Sequence, residues 1–224
     1  MKFIIIFVCI GIFLSCAKQK NPQEEANLIL ANLQAKDEEI EKADWKKKAI
    51  ESENDLKETS ATRSKEFGLP DLQSLYLRND DIEIRVIKLA SFNERNINFQ
   101  LEKIGGRWSA NLIEKIIAKK NPPGKLFHRK LNEPKSGWET LYQKLISEKI
   151  LTLPNGNEVG NEVCPDCEIF IVETKVKENY RIYDYHAPEY FKDIREAQQL
   201  VKIINLISEE FDLNVFDVDN FQAP

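Results

Sequence analysis

The sequence predicts an α+β domain: an antiparallel sheet of meander and hairpin strands with two helices packed on it, preceded by a long N-terminal helical tether. Three observations lead to this fold class. Several segments alternate apolar and polar residues with the period of a strand, tight hairpin connections join some of them, and two amphipathic helical segments are interleaved with the strands. A parallel sheet would need helical crossovers between strands, and most connections here are too short for them.

The first residues, 1–15, have the features of an export signal. Lys2 is followed by an apolar run from Phe3 to Leu14, and about 12 apolar residues suit a secretory signal, whereas a membrane-spanning helix needs about 20. Ser15 before Cys16 resembles the cleavage site of bacterial lipoproteins, in which the cysteine is acylated and becomes the first residue. This pattern predicts an exported envelope protein anchored in a lipid bilayer through Cys16, in the outer membrane if the cell has two membranes. An ordinary secretory peptide with an incidental cysteine is the alternative.

The composition fits a globular domain outside the cytoplasm. The chain has 224 residues, of which 42% are hydrophobic and 31% charged, enough to bury one substantial core. A formal net charge of −5 argues against a nucleic-acid partner, because such proteins present a basic face to phosphates. Once residues 1–15 are removed and Cys16 is lipidated, Cys164 and Cys167 are the remaining thiols, in a compartment that permits disulfides.

Residues 16–67 are predicted to form the tether. From Gln23 to about Leu56 the residues are good helix formers. Apolar residues recur there at a heptad-like spacing that two lysines interrupt: Ala26, Ile29, Leu33, Ile40, Ala43 and Ile50, with Lys36 and Lys47 on the same stripe. A solvated stalk that spaces the domain from the membrane is the favoured interpretation, and a helical pairing surface anchored by Trp45 is the alternative. Residues 57–67 are predicted to be a loop.

Residues 68–224 are predicted to form the single α+β domain. Residues 82–90 read as a strand, and residues 97–104 alternate apolar and polar side chains. Gly105 and Gly106 then supply the positive φ of a tight hairpin, from which a second strand returns in period two. Residues 125–131 are predicted to form a further strand.

The second half of the domain is predicted to contain both helices. Ser136 and Glu139 have the spacing of a capping box before a helix that runs to about Lys149. Two strands, 167–176 and 180–186, precede a long amphipathic helix from Glu189 to Phe211.

Several of these segments together resemble a group of uncharacterised bacterial envelope lipoproteins. The shared motifs, spread over about residues 69–211, are Glu83-Ile84-Arg85-Val86, Trp108 with Ala110, Trp138 with Leu141, Ile150–Pro154, and Tyr180–Tyr185 with Pro188. The resemblance implies an envelope location and this α+β fold, and it implies no particular activity.

The pair Cys164 and Cys167 has the spacing of thiol oxidoreductases and of half a zinc site. A catalytic pair is activated by the N-terminus of a following helix, but Cys167 leads into a strand pattern. A structural zinc site needs four ligands, and neither His128 nor His186 has a second ligand at helical or hairpin spacing. The pattern therefore favours a tight turn closed by a disulfide, with no metal and no cofactor.

The densest aromatic cluster is the remaining candidate for a binding surface. It consists of Tyr183, Tyr185, His186 and Tyr190, next to Tyr180, and such rings can stack on a sugar or a peptide. Packing in the sheet and its core is the favoured alternative for the strand tyrosines. A basic stretch, 115–135, could face anionic lipid headgroups, and an acidic stretch, 209–219, could face a basic partner, although both are by default solvated surface.

The sequence thus predicts a non-enzymatic envelope lipoprotein that binds a protein or another envelope component, with no catalytic residues. Two alternatives stay open at this point. One is a thiol-redox or hydrolytic enzyme of the envelope, and the other is an immunity-type inhibitor of a toxin that acts there.

Overall fold

The computed structural model describes residues 54–78, 80–90, 95–116, 124–161, 163–164 and 166–214. They form helix α1 (54–66), strands β1 (Ile82–Leu89), β2 (Arg95–Ile104), β3 (Arg107–Ile116) and β4 (Lys125–Lys130), helix α2 (Trp138–Ser147), strands β5 (Ile169–Val176) and β6 (Asn179–His186), and helix α3 (Arg195–Phe211). Short 3₁₀ turns span Gly156–Val159 and Pro188–Tyr190. The predicted signal segment, Cys16 and the tether up to residue 53 lie outside the described residues.

The strands form one six-stranded sheet in the order β4-β3-β2-β1-β5-β6. Every neighbouring pair is antiparallel, which confirms the predicted α+β class. The predicted hairpin lies between β2 and β3, where Gly105 and Gly106 have φ values of 57° and 78°. Glycine adopts these left-handed angles without the steric cost that a Cβ would add.

One face of the sheet is apolar and carries α2 and α3. Alternate residues of neighbouring strands meet on this apolar face, as the strand period requires. Val86, Phe99, Leu112 and Val172 are among its fully buried members. Leu141 and Leu145 of α2 and Leu200, Ile203 and Ile204 of α3 pack against them. Burial of these side chains is the main source of the domain's stability, at about 1.5–3 kcal/mol for each large aliphatic or aromatic residue.

The opposite, polar face is covered by α1 and residues 67–78, so the prediction of a loop at 57–67 is wrong. Leu56, Ser60, Ser64 and Phe67 are buried there and recur at the spacing of one helical face. Serine and threonine lower helix propensity, but here two small hydroxyls let the helix approach polar strand residues and bond to them. Packing on the sheet therefore begins before the predicted domain boundary at residue 68.

Both predicted helices of the apolar face form, but their first turns differ from the prediction. Gly137 is the N-cap of α2 and makes no side-chain capping bond. Glu139 instead lies 3.6 Å from the Nζ of Lys103, and the backbone N–H of Ser136 donates to Glu210 at 2.7 Å. The predicted capping box is therefore wrong, because tertiary partners replace the local ones.

Helix α3 begins at Arg195 rather than at Glu189. Residues before it form the 3₁₀ turn Pro188–Tyr190. Gln198 donates to the carbonyl oxygens of Pro188 at 3.2 Å and Phe191 at 3.3 Å. These bonds satisfy backbone acceptors that a continuous helix would have bonded internally.

Candidate functional site

Two residues of the aromatic cluster that the sequence suggested as a binding surface do not reach the surface of the protein. Tyr183 and Tyr185 are both 0% exposed and belong to the apolar core. Their hydroxyls donate to the carbonyl oxygens of Ile150 at 2.8 Å and Pro154 at 3.0 Å. Burial raises the pKa of both phenols. Both rings therefore pack in the core, as the favoured alternative for the strand tyrosines predicts, because β6 directs them under α3 and the segment after α2.

The structure does not bring the four predicted residues together. His186 is buried and directs its side chain to the polar face, since it follows Tyr185 in the strand alternation. Tyr190 lies in the second 3₁₀ turn and is 58% exposed. Of the cluster, Tyr190 alone offers a ring to solvent.

The cysteine turn has the structural context that the sequence predicts. The structure joins Cys164 to Cys167 with Cα atoms 5.3 Å apart, and the N–H of Cys167 donates to the carbonyl of Cys164 at 3.3 Å. Strand β5 begins two residues later, at Ile169. Formation of this bridge in the cell stays a prediction.

Sequence reasoning missed that His186 lies against this turn. Its Nδ1 is 3.4 Å from the backbone nitrogen and 3.3 Å from the carbonyl oxygen of Cys164, so which of the two it bonds depends on the tautomer. Its Nε2 is 3.6 Å from Asp184. The nearby carboxylate of Asp184 raises the pKa of His186, against the opposing effect of burial. These contacts hold the backbone of the turn in place.

A network of buried charged groups lies on the polar face. Arg85 of β1 is 0% exposed. Its Nε and Nη2 both lie 2.7 Å from Oε1 of Glu83, and its Nη1 donates to Ser64 at 2.9 Å and to the carbonyl of Pro70 at 3.0 Å. Gln100 also donates to Glu83, at 2.8 Å. A buried guanidinium is tolerated only when it is paired and hydrogen-bonded in this way.

Glu173 of β5 continues this network toward β6. Its Oε1 accepts hydrogen bonds from the hydroxyls of Ser60 and Tyr180, and its Oε2 lies 3.6 Å from Nη1 of Arg85. Burial raises the pKa of Glu173, while the Ser60 bond and the charge of Arg85 act in the opposite direction. Burial also raises the pKa of Tyr180. The polar residues Glu83 and Arg85 in a central strand were the sequence signal that a second layer covers this face.

A cleft of about 660 Å³ opens at one end of the polar face. Its floor is Glu83, Gln100 and Glu102, and its walls are the segment before β1 and the β2–β3 turn: Pro70, Leu75, Tyr76, Leu77, Arg78, Asp81, Ile104 and Gly105. Asp81 ties these walls together, because it accepts from the backbone nitrogens of Arg78 at 3.1 Å and Gly105 at 2.8 Å. Tyr76 stands at the rim and is 83% exposed.

The edge strand β4 is the second candidate. All six of its residues are exposed, and four of the six carry a basic or imidazole side chain: Lys125, His128, Arg129 and Lys130. The other two, Leu126 and Phe127, are 36% and 44% exposed. An exposed strand with apolar and cationic side chains is unusual, because proteins tend to cover or shorten such edges.

No helix in the described part of the chain is long and apolar enough to cross a membrane. The same residues contain no group of three or more His, Cys, Asp and Glu side chains that could hold a metal ion. Comparison of the chain with protein-family models, with curated proteins and with solved structures found no match.

Proposed function

We propose that this chain is a lipid-anchored protein of the bacterial cell envelope whose domain binds another envelope component without catalysing a reaction. The lipoprotein-like leader with Ser15 and Cys16 supports the location. The observation that supports binding most strongly is the cleft, in which the exposed ring of Tyr76 stands above a floor of buried and half-buried, hydrogen-bonded polar groups.

Hydrogen bonds between side chains of neighbouring strands hold the floor of the cleft rigid. Gln100 donates to Glu83 and accepts from Asn111 at 3.3 Å, so both ends of its amide are fixed. The guanidinium of Arg85 holds the carboxylate of Glu83. Glu102 accepts a hydrogen bond from the hydroxyl of Ser109 at 2.8 Å. A preorganised floor lowers the ordering cost of binding.

The lining indicates the chemistry of the ligand. Asp81 and Glu102 contribute two carboxylates and Arg78 one cation, beside apolar walls that include Leu77, while the charge of Glu83 is balanced by Arg85. A ligand that carries a positively charged group and an apolar part fits this balance. An exposed tyrosine ring at the rim can cover such a cation, at about 0.5–1 kcal/mol for an exposed pair.

The proposed anchor is tested on the N-terminus of the mature protein. Mass spectrometry of the protein from membranes is expected to find an acylated Cys16 as the first residue, and a Cys16→Ser variant is expected to leave the membrane fraction. Cleavage elsewhere, or an unmodified Cys16, would contradict the lipoprotein assignment.

The proposed binding site is tested by substitution at the rim. The mature chain carrying Cys16→Ser is used to capture proteins and glycans from envelope extracts. Tyr76→Ser is expected to lose the captured component, whereas Tyr190→Ser, which alters another exposed tyrosine far along the chain, is expected to retain it. Equal capture by both variants, or no specific capture by the parent, would sink the cleft proposal. An envelope-acting toxin as the captured component would favour the inhibitor alternative.

A further inference from the structure

We infer that β4 is a docking edge for an extended acidic segment of a partner protein, which adds to the sheet as a further strand. This surface is separate from the cleft, so the inference does not depend on the ligand proposed there. It rests on the direction of the backbone groups of β4 and on its side chains. It also rests on the contrast with the other edge strand, β6, where Asn161 bonds the outward backbone groups of His186.

The ladder between β3 and β4 determines which backbone groups face outward. The N–H of Leu131 donates to the carbonyl of Ala110 at 2.9 Å, and the two residues continue the β3–β4 register. Hydrogen-bonded pairs alternate along antiparallel strands, so Arg129 and Phe127 also bond inward. The backbone groups of Leu126, His128 and Lys130 therefore point away from β3, and in the described part of the chain no strand lies beyond them.

Three outward residues at alternate positions are what an added strand needs. Each presents an N–H and a C=O in the spacing of an antiparallel or parallel ladder. Peptides that add to a sheet edge gain affinity from these main-chain bonds and specificity from side chains on either face. The length of β4, six residues, accommodates an extended segment of similar length.

The side chains of β4 indicate that the added strand is acidic. Lys125, Phe127 and Arg129 lie on the side of the apolar face, and Leu126, His128 and Lys130 lie on the side of the polar face, as their pairing with β3 shows. Each side thus combines one or two cations with one apolar residue. Directly opposed residues on neighbouring strands interact, and opposite charges favour pairing while like charges oppose it.

A second copy of this chain fits the edge poorly. Antiparallel pairing of two β4 strands centred on Phe127 would oppose Lys125 with Arg129 at both ends, and pairing centred on His128 would bring six lysine and arginine side chains of the two copies together. The resulting contacts between like charges disfavour self-association. An anionic membrane would attract the same cations, but it supplies no strand to bond the three outward backbone positions.

The test uses two synthetic peptides and the mature chain carrying Cys16→Ser. One peptide alternates glutamate and valine over ten residues, and the other has the same sequence with N-methyl groups on consecutive residues, so that neither of its edges keeps its N–H donors. Titration is followed by the backbone amide NMR signals of β4. The unmethylated peptide is expected to bind and to shift Leu126, His128 and Lys130 most. Methylation of the bonding edge is expected to weaken binding about fivefold or more, because several main-chain hydrogen bonds are lost.

The protein side is tested by His128→Pro against His128→Ala. Proline removes the outward N–H at a position that edge strands tolerate, and both variants remove the same imidazole. His128→Pro is expected to weaken peptide binding about fivefold or more relative to His128→Ala. Arg129→Glu, in which the outward backbone is intact, is expected to weaken binding of the acidic peptide as well.

Three outcomes would overturn the inference. They are equal affinity of methylated and unmethylated peptides, no binding of the acidic peptide, and preferential binding to vesicles of anionic phospholipid with no response to the peptide. The methylated peptide keeps the test decisive even if His128→Pro disturbs folding, because that comparison leaves the protein unchanged.

Discussion

The two edges of the sheet are treated in opposite ways. At β6, the segment after α2 lies against the end of the strand, where the side chain of Asn161 bonds the outward backbone groups of His186. At β4, the outward groups of three residues face away from the sheet with no described strand beside them. The comparison shows that a side chain of this fold can take the place of a neighbouring strand at the end of one edge, and that among the described residues this happens at β6 and not at β4.

At the end of β6, the side chain of one asparagine makes the hydrogen bonds that a neighbouring strand would make. The N–H of Ala187 donates to the carbonyl of Glu168, and alternation then directs the backbone of His186 outward. Asn161 accepts from the N–H of His186 at 2.7 Å and donates to its carbonyl at 2.9 Å. One amide side chain thereby completes both outward bonds, as a paired residue would.

A glycine lets this covering segment approach β6 closely. A Cβ at Gly156 would lie 2.7 Å from the carbonyl oxygen of Asp184 and 2.9 Å from Oδ1 of Asn161. Arg181 adds a bond from its guanidinium to the carbonyl of Leu153. Among the described residues, no side chain bonds the outward backbone groups of β4 in this way. The exposed side chains of β4 are instead largely basic.

The largest expected effect comes from opening the closed edge with Asn161→Ala. This change leaves the buried N–H and C=O of His186 without partners, at about 1–3 kcal/mol for each group, so we expect a loss of about 2–4 kcal/mol in the free energy of unfolding. Urea denaturation measures it. Asn132→Ala, next to the C-terminal end of β4 and exposed, is the control and is expected to change stability by less than about 0.5 kcal/mol. Similar effects of the two changes would remove the distinction between the edges.

Gly156→Ala should produce the next largest effect. The added methyl group must displace backbone at Asp184 or the side chain of Asn161, and overpacking of this kind costs about 1–3 kcal/mol. We also expect faster exchange of the His186 amide hydrogen. Gly106→Ala is a useful control: its Cβ would meet no atom within 4 Å, but its φ of 78° is strained for alanine. It should lower stability without any change at His186, and an effect on both would argue against close approach as the cause.

The closed edge is also expected to give the domain a pH dependence through His186. The pKa of His186 is raised, chiefly by the nearby carboxylate of Asp184. Protonation therefore favours the folded state, and the resulting stability is present below the unfolded pKa of about 6.5 and is lost as pH rises through the higher folded value. Asp184→Asn should lower the pKa of His186 and flatten the change in melting temperature between about pH 6 and 8. An unchanged NMR titration of the His186 ring, or an equal effect of Asp193→Asn at an exposed carboxylate, would contradict this cause.

The smallest expected effects are those on the bare edge itself. Phe127→Ser and Arg129→Ala remove exposed side chains, so each should change the free energy of unfolding by less than about 0.5 kcal/mol. Thermal and urea denaturation of the mature chain check this. A loss above about 2 kcal/mol would mean that these side chains are packed in the folded protein.

The strands were predictable because their information is local. The alternation in β2 and β3 determines which side chains are buried, and Gly105 and Gly106 determine the turn between them. Neighbouring strands in this sheet are mostly neighbours in sequence, so hairpin signals were sufficient. The exception is the pairing of β1 with β5, which brings the second half of the chain beside the first.

Helix α1 was missed because its stability is not local. The segment around Ser60 and Ser64 has weak helix propensity, and it is held by bonds to Glu173 and Arg85 from strands far along the chain. A better guide was to infer the covering layer from the polar residues of the strands. A central strand with Glu83 and Arg85 at alternate positions requires polar partners on that face.

The candidate surfaces could be predicted only in part. The cleft combines residues from the segment before β1, from β1, from β2 and from a hairpin turn, so no single stretch of sequence carries it. The basic character of β4 was visible, but its position at an edge depends on strand order. The strand tyrosines were conspicuous in sequence, yet Tyr183 and Tyr185 are core residues.

Amide hydrogen exchange of the mature chain tests the contrast between the edges most directly. The outward amides of β4, at Leu126, His128 and Lys130, are expected to exchange rapidly, while the inward amides of Phe127 and Arg129 in the same strand are protected. At β6, the outward amide of His186 is expected to be protected like its inward neighbours, and to lose that protection in Asn161→Ala. Uniform protection along β4, or rapid exchange of His186 in the parent protein, would contradict the account of one closed and one open edge.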